Sequence, residues 1–523
     1  MGEEIKSLEK MGTWEAVPLP EGRKTISCKW VYRIKRDADG NPTRYKARLV
    51  ARGFSQVHGL DYDETYAPVT RLETIRLLLG IAAAKDWEIR QIDVKSAYLY
   101  GDLDEEIYMD APPGYEVPEG YVLHLLKALY GLKQAGRQWY KTLSATLKTF
   151  GLVQITNDPH TFKAHRMFNG VRLTIIVPVY VDDFLPMGDK TLVDDFEASL
   201  PKSFDVTSSG DASFFLGLSI SRDRLEGRRL YIHQYAFIQT ILNRFKVKDG
   251  PDVPTPLSST ENLVPNTDPI EDVNVETRHR YQSIVGSLMY LMLGSRPDLA
   301  YSVGKLARFS SNPSSQHTRA LNRVLQYVRT TQNHYLEWIP DEDSIQPEGA
   351  VDADFAGDTS DRKSTAGYFF FLGGTVFSWS SKKESTVATS TMEAEYIALF
   401  LASQQAAWIF QFYDQIGFPL SQPIDIHCDS EAAINVAKAE QTHKLSKHLD
   451  VKCHSIRERV EQGMIKLVWV KTQANSADIL TKQVSRESFK THAYGIGLED
   501  GNYDEEEAEV EAHLTPPEVA EET

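Results

Sequence analysis

Asp182 and Asp183 stand side by side inside an apolar run, between Tyr180-Val181 and Phe184. Adjacent carboxylates in such a setting repel each other and lose hydration, so a cation must compensate them. A hard divalent metal does so through oxygen ligands. Asp93, at the end of the alternating run EIRQIDV, is the candidate for a third ligand. Three carboxylates holding two Mg²⁺ ions, with Mn²⁺ as the alternative, suit phosphoryl transfer: one ion activates a 3′-hydroxyl and the other stabilises the leaving pyrophosphate. By spacing alone, an acidic β-turn beside an unrelated strand-end Asp explains the same residues.

A second set of carboxylates is dispersed: Asp352, Glu395, Asp429 and Asp478. The pattern puts them on a strand, a long helix, a strand end and a closing helical segment. Taken singly, each reads as a solvated acid; together they could converge on two metals. Glu393 and Glu395 lie about 200° apart around a helix, so both cannot enter one site. Ser390 followed by Glu393 makes a capping-box pattern, which offers Glu393 a structural role.

The elements that must position these residues follow from periodicity and turn signals. KWVYRIKR and YKARLVARGF flank DADGNP and read as a two-stranded hairpin. A helix is expected over 72–85, a strand at EIRQIDV, and a helix over 129–150 stopped by Gly151. TIIVPVYVDDFLPMGD reads as a hairpin with the acidic pair at its tip, and FFLGLSI as a further strand. A Pro-rich loop over 251–276 precedes three helices at 281–293, 297–310 and 314–329, expected to form a small all-helical unit. After 348 the texture changes to the order βββαβαβα, and the end of the chain is acidic with too little apolar content to fold.

Composition bounds the reading. At 523 residues, with 41% hydrophobic and 25% charged residues, the chain is globular and holds several domains. No apolar stretch approaches the ~20 residues that cross a bilayer, and the opening lacks a signal-peptide core. No membrane association is expected, and the chain reads as unsecreted. Its three cysteines, Cys28, Cys428 and Cys453, show no CxxC spacing, so neither a disulfide framework nor a zinc site is suggested. The net charge of −16 seems to disfavour nucleic acid, yet residues 499–523 hold eleven acids and no Lys or Arg, while 22–56 hold ten Lys or Arg against two Asp. A solvated basic hairpin is the plain alternative for that patch.

The motifs, in order, carry a resemblance. YVDD at 180–183, with IDVKSAYLYG at 92–101, resembles the catalytic signature of reverse transcriptases. KWVYRIKRDADGNPTRYKARLVARGF, LYGLKQAGRQWY and YVDD resemble the polymerase of copia-type LTR retrotransposons. YQSIVGSLMYLMLGSRPDLAYSV, DADFAGDTSDRKSTAGYFFFLGG, SWSSKKESTVATSTMEAEYIAL and SADILTK are similar to that family's continuation into ribonuclease H. The match runs over about 29–483.

The resemblance implies an α+β multidomain chain: a right-hand polymerase of fingers, palm and helical thumb, followed by a ribonuclease H-like α/β domain. Fingers and palm would occupy 1–232, thumb and connection 233–335, ribonuclease H 348–484, and a disordered acidic tail 485–523. It further implies that Asp93, Asp182 and Asp183 hold metal for polymerisation, and that Asp352, Glu395 (rather than Glu393), Asp429 and Asp478 hold it for hybrid cleavage. Arg33, Lys35, Lys46 and Arg48 become candidates for the incoming triphosphate, Tyr98 for the steric gate beside the ribose, and Gln134 for a nucleotide contact, a helix-surface Gln being the alternative. FFLGLS resembles the primer-grip hairpin.

The implied partners are an RNA template, a DNA or RNA primer, an RNA:DNA hybrid and deoxynucleoside triphosphates. The implied location is intracellular, in the cytoplasm, in virus-like particles or in the nucleus. Pro178 and Pro186 depart from the family's aliphatic strand residues, and Gly136 from its Pro. Prolines belong at sheet edges and bulges, so both are expected to disturb the hairpin that aims the carboxylates. With no protease, integrase or coat segment recognised, the chain reads as a polymerase fragment of an element. Two rivals stand beside an active enzyme: a non-catalytic nucleic-acid-binding relic, and a hybrid nuclease with an inactive polymerase.

Overall fold

The computed structural model describes residues 1–36, 42–224, 228–339, 345–438 and 447–501, without the side chains of 35–36, 42–44, 447–451 and 453. The chain divides into two compact units, Met1–Arg71 with Glu88–Ala212, and Leu72–Trp87 with Ser213–Thr523. The expected turn DADGNP lies almost wholly outside the described residues, as do 502–523.

In the first unit, Cys28–Arg36 and Pro42–Ala51 pair as the expected antiparallel ribbon. Arg33 faces Lys46 and Val31 faces Arg48, so the period of two gathers these bases on one face. The main sheet is built around Val171–Tyr180, flanked by Thr161–Phe168 on one side and by Asp183–Phe184 with Met187–Gly188 on the other. Those two short strands pair in turn with Glu88–Val94, which Val206–Asp211 also joins. The helix Ala135–Thr149 buries Trp139, Leu143 and Leu147, spaced by four, against Ile92, Val177, Val179 and Phe184. It begins six residues later than its apolar spacing suggests. Gly131 is left-handed, at φ +92°, and interrupts helical geometry before the N-cap at Gln134.

Pro178 lies inside the strand Val171–Tyr180, opposite Thr161, and Pro186 lies between the short strands Asp183–Phe184 and Met187–Gly188. The register is nonetheless unbroken across them: Ile175 and Ile176 face Gly188 and Met187, and Val179 and Tyr180 face Phe184 and Asp183. The same holds toward Glu88–Val94, where Met187 faces Ile89 and Asp183 faces Asp93. Leu185 N donates to Pro178 O at 3.1 Å, and Arg90 N donates to Pro186 O at 3.0 Å. Each proline therefore forfeits one hydrogen bond of an antiparallel pair and keeps its partner, so the expected misaiming of the hairpin does not occur.

The helix Leu72–Ala84 belongs to the second unit, where it packs against the strand Thr375–Lys383, so residues 1–232 are not one compact body. Buried Arg76 fixes it, donating to Phe377 O at 2.7 Å, Leu293 O at 2.7 Å and Gly294 O at 2.9 Å, with its guanidinium 3.8 Å from the Trp379 ring centre. FFLGLSI is not one strand but two, Phe214–Phe215 and Leu218–Asp223, folded back through a left-handed Leu216-Gly217 turn. They continue through Arg229–His233 and His334–Trp338 to Leu498–Asp500 as one five-stranded sheet. The helices Val275–Gly294, Ala300–Ala307 and Ser315–Thr330 thus share their unit with a sheet and are not an all-helical body. Local periodicity could not reveal strand partners more than 100 residues apart.

The remainder follows the expected order. Glu348–Asp354, Thr365–Leu372 and Thr375–Lys383 form an antiparallel meander, the long helix Thr391–Ile416 crosses it, and Ile424–Cys428 and Ile465–Trp469 add in parallel on the side of the first strand. The strand order is third, second, first, fourth, fifth. No helix among the described residues is long and apolar enough to cross a membrane.

The stretch from 485, expected without structure, carries the helix Arg486–Gly495 and the strand Leu498–Asp500. Its few apolar residues are well placed: Phe489, Ala493, Ile496 and Leu498 are all buried. A chain ended at Ser485 should therefore be less stable than one ended at Gly501 by several kcal/mol, since each large apolar side chain contributes ~1.5–3 kcal/mol. Equal urea midpoints for the two chains would show that this segment contributes nothing to the fold.

Candidate active sites

In the first unit the strand register performs the assembly. Asp183 sits directly opposite Asp93, and Asp182 lies in the two-residue turn joining Tyr180 to Asp183. Val94 N donates to Asp182 O at 2.9 Å, tying the turn to the Asp93 strand. Val181, the other turn residue, is left-handed at φ +57°, an unfavourable state for a β-branched side chain. Trp139 Nε1 donates to Val181 O at 2.6 Å and holds it there.

The electrostatics match the crowding. Burial, then Asp182 and Asp93, push the Asp183 carboxyl up to about 7. Burial also raises Asp182, with Asp93 adding to the rise while Arg48 and Lys46 oppose it. The three carboxylates repel one another at one strand end and offer the oxygen ligands that hard divalent ions take, although their oxygens do not all lie within 4.8 Å of one another.

After Asp93 the chain passes through left-handed Ser96 into the short turn Ala97–Tyr100, which presents Tyr98. The Tyr98 ring meets Tyr130 edge-on at 4.8 Å, and burial followed by Asp182 and Tyr180 raises its hydroxyl pKa. Arg48 lies 5.4 Å from the Tyr130 ring centre. Arg48 and Lys46 thus reach Asp182 electrostatically, and Arg33 shares their face of the ribbon. The side chain of Lys35 lies outside the described residues.

Gln134 is fully buried, and its amide donates to Asp61 O at 2.8 Å and Glu105 Oε2 at 3.1 Å and accepts from Gln56 Nε2 at 3.0 Å. It clamps a loop, which corrects the helix-surface reading. Spacing marked Trp139 only as an apolar helix residue and gave no sign of Gln56, since the hydrogen bonds of each reach partners distant in sequence.

In the second unit Asp352 is buried on the first strand of the mixed sheet, with Val351 in register with Cys428. Asp429 directly follows the strand Ile424–Cys428. Glu395, in the second turn of Thr391–Ile416, is buried, and its Oε2 has no hydrogen-bond partner. Glu395, Cys428 and Asp429 bring ligand atoms within 4.8 Å of one another.

Asp478 lies in the turn Ser476–Leu480, anchored by Asn475, whose Nδ2 donates to Val351 O at 2.9 Å. Lys482 Nζ bridges Asp478 Oδ1 at 2.9 Å and Asp352 Oδ2 at 3.5 Å, and the Thr481 hydroxyl donates to Asp352. Burial, then Asp352 and Asp429, push Glu395 up to about 9, and burial raises Asp352 to about 6. A buried, unpartnered carboxylate oxygen amid like charges is the fit expected of a cation site. Glu393 faces elsewhere, its carboxylate accepting from Thr389 N at 2.8 Å while its own N–H donates to Ser390 Oγ at 3.2 Å. Thr481 and Lys482 stand within SADILTK but escape a search for carboxylates.

Two acidic sites therefore stand in one chain: a strand end with three Asp in the first unit, and a mixed five-stranded sheet with four dispersed acids in the second. Residues 11–259 match the family described as reverse transcriptase (RNA-dependent DNA polymerase). The chain is 40% identical over 505 residues to the Retrovirus-related Pol polyprotein from transposon TNT 1-94 of Nicotiana tabacum, a match covering 95% of this chain and 37% of that polyprotein. The chain is similar to copia-type Pol polyproteins and spans little more than a third of that relative's length.

Among solved structures, a foamy viral protease-reverse transcriptase in complex with double-stranded DNA is similar at 13% identity and a TM-score of 0.47, covering 90% of this chain and 69% of that one. LC11-RNase H1 in complex with an RNA/DNA hybrid is similar at 18% identity and a TM-score of 0.22, covering 26% of this chain and 94% of that one.

The raised Asp183 pKa has a consequence for folding. The folded value of about 7 exceeds the ordinary 3.8, so without metal the folded state binds more protons and wild-type stability falls as pH rises between them. In chelator, Asp183→Asn should be more stable than wild type at pH 8 by on the order of 1–3 kcal/mol, the difference vanishing near pH 4. A difference independent of pH in denaturant titrations would remove the carboxylate crowding as its cause.

Proposed function

We propose that this chain is an RNA-directed DNA polymerase joined to a ribonuclease H, acting on a primed RNA template and then on the RNA of the hybrid product. The observation that carries this reading is the register of Asp183 opposite Asp93 with Asp182 in the adjoining turn. In this assignment the ribbon is the fingers and the main sheet of the first unit is the palm. Residues 233–335 are thumb and connection, and 348–484 are the nuclease.

Asp93, Asp182 and Asp183 would hold two magnesium ions, as would Asp352, Glu395, Asp429 and Asp478; when bound, these supply the positive charge that phosphoryl transfer requires. The protein's own contribution is placement. Strand pairing keeps the three Asp in fixed relation, and Trp139 holds the turn in its strained form. Arg33, Lys35, Lys46 and Arg48 present positive charge to an incoming triphosphate. The Tyr98 ring, braced by Tyr130, occupies the space that a ribose 2′-hydroxyl would need. In the nuclease, Lys482 and Thr481 orient Asp352 and Asp478.

The unbroken register across Pro178 and Pro186 favours an active polymerase over the relic and the dead-polymerase readings. Asp183→Asn should lower primer extension at least ~100-fold and leave hybrid cleavage in place, whereas Asp429→Asn should do the reverse. Wild-type extension by Asp183→Asn, or full cleavage by Asp429→Asn, would sink the corresponding assignment.

Tyr98→Ala should raise ribonucleotide incorporation ~10-fold or more relative to deoxynucleotide. Unchanged discrimination would return Tyr98 to a core aromatic.

A further inference from the structure

The two carboxylate clusters differ in one atom type. The Asp93, Asp182 and Asp183 set offers oxygen alone, whereas Glu395 and Asp429 share their space with the Cys428 sulfur. Cys428 ends the strand Ile424–Cys428 with its side chain on the buried face, in line with Ile424 and Ile426. Its Sγ accepts from Ser430 N at 3.4 Å and donates to Ser430 O at 4.0 Å, both contacts to one neighbouring residue. Glu395, 5% exposed, directs toward the same space an oxygen with no partner. Asp429 is half-buried and leaves a way in.

Ligand atoms within 4.8 Å of one another fit a single ion with bonds of ~2.0–2.3 Å to oxygen and sulfur. Magnesium has little use for a thiol, whereas zinc and cadmium favour one.

We propose that Cys428, Glu395 and Asp429 form a binding site for a thiophilic divalent cation, Zn²⁺ or Cd²⁺, and that its occupation withdraws two carboxylates from the nuclease while leaving the polymerase carboxylates untouched. Binding breaks the Cys428 S–H bond, releases its proton to solvent and gives the sulfur lone pair to the metal; no redox change occurs. The effect on cleavage rests on the nuclease reading above, whereas the site itself does not. Absence of a CxxC spacing does not argue against it, because two of its three ligands are carboxylates brought in by the fold.

The test uses the full chain carrying Cys28→Ser and Cys453→Ser, which leaves Cys428 as the sole thiol, titrated with cadmium chloride in the absence of magnesium. A thiolate-to-cadmium ultraviolet band should saturate at one equivalent and vanish on adding Cys428→Ser. Adding Glu395→Gln instead, with the thiol intact, should weaken cadmium affinity by ~10–100-fold, which keeps the test decisive if the serine variant misfolds. In magnesium buffer, one equivalent of cadmium should stop hybrid cleavage by the Cys28→Ser, Cys453→Ser protein and spare its primer extension.

The proposal is overturned by the absence of the band, by a band that survives Cys428→Ser, by unchanged affinity in Glu395→Gln, or by equal inhibition of both activities. A protein that binds cadmium through Cys428 but never cleaves hybrid in magnesium refutes the nuclease reading alone. Cleavage without the band refutes the site alone.

Discussion

Like charges held together out of water are the constraint around which both sites are built. A carboxylate partly removed from solvent and placed beside another is driven toward its neutral form, and here that pressure reaches about 7 at Asp183 and about 9 at Glu395. Such arrangements are costly unless a cation is part of the design. The surrounding structure must therefore be rigid enough to hold the acids in place while no cation is present.

The first unit meets this demand with backbone pairing. Asp93 and Asp183 are neighbours because their strands are hydrogen-bonded in one register, so separating them means breaking the sheet. The turn that carries Asp182 is less secure, since Val181 is in a conformation its branched side chain resists, and the indole of Trp139 supplies the restraint. The prolines test this design. Each removes a donor from the sheet, yet each carbonyl still accepts, and a shift of register would move every side chain of the strand to the other face.

The second unit meets the same demand with side chains. Lys482 and Thr481 bind Asp352, and Asn475 fastens the turn that brings Asp478. A lysine ammonium that bridges two of the acids supplies positive charge from within the protein, which the first site draws from Lys46 and Arg48 at longer range. The two sites thus share crowded carboxylates and differ in how their charge is balanced. They differ also in softness, because only the second includes a sulfur.

The sequence by itself determined most local elements: the ribbon, the YVDD hairpin, the helix after Ser390 and the order of the last domain all follow from short-range periodicity and turn residues. It misjudged the burial of Gln134, the register across the prolines, the helix over 72–85 as part of one polymerase body, and the stretch after 485. Each of these depends on partners far along the chain. Gln134 is defined by Gln56, Asp61 and Glu105; the helix Leu72–Ala84 by carbonyls at 293, 294 and 377; the strand Leu498–Asp500 by His334–Trp338. Periodicity states which face of an element is apolar, but it does not state which element covers it. That choice, and with it the meeting of Glu395, Cys428 and Asp429, was made only by tertiary packing, because non-local contacts are selected by the whole chain at once rather than by any window of it.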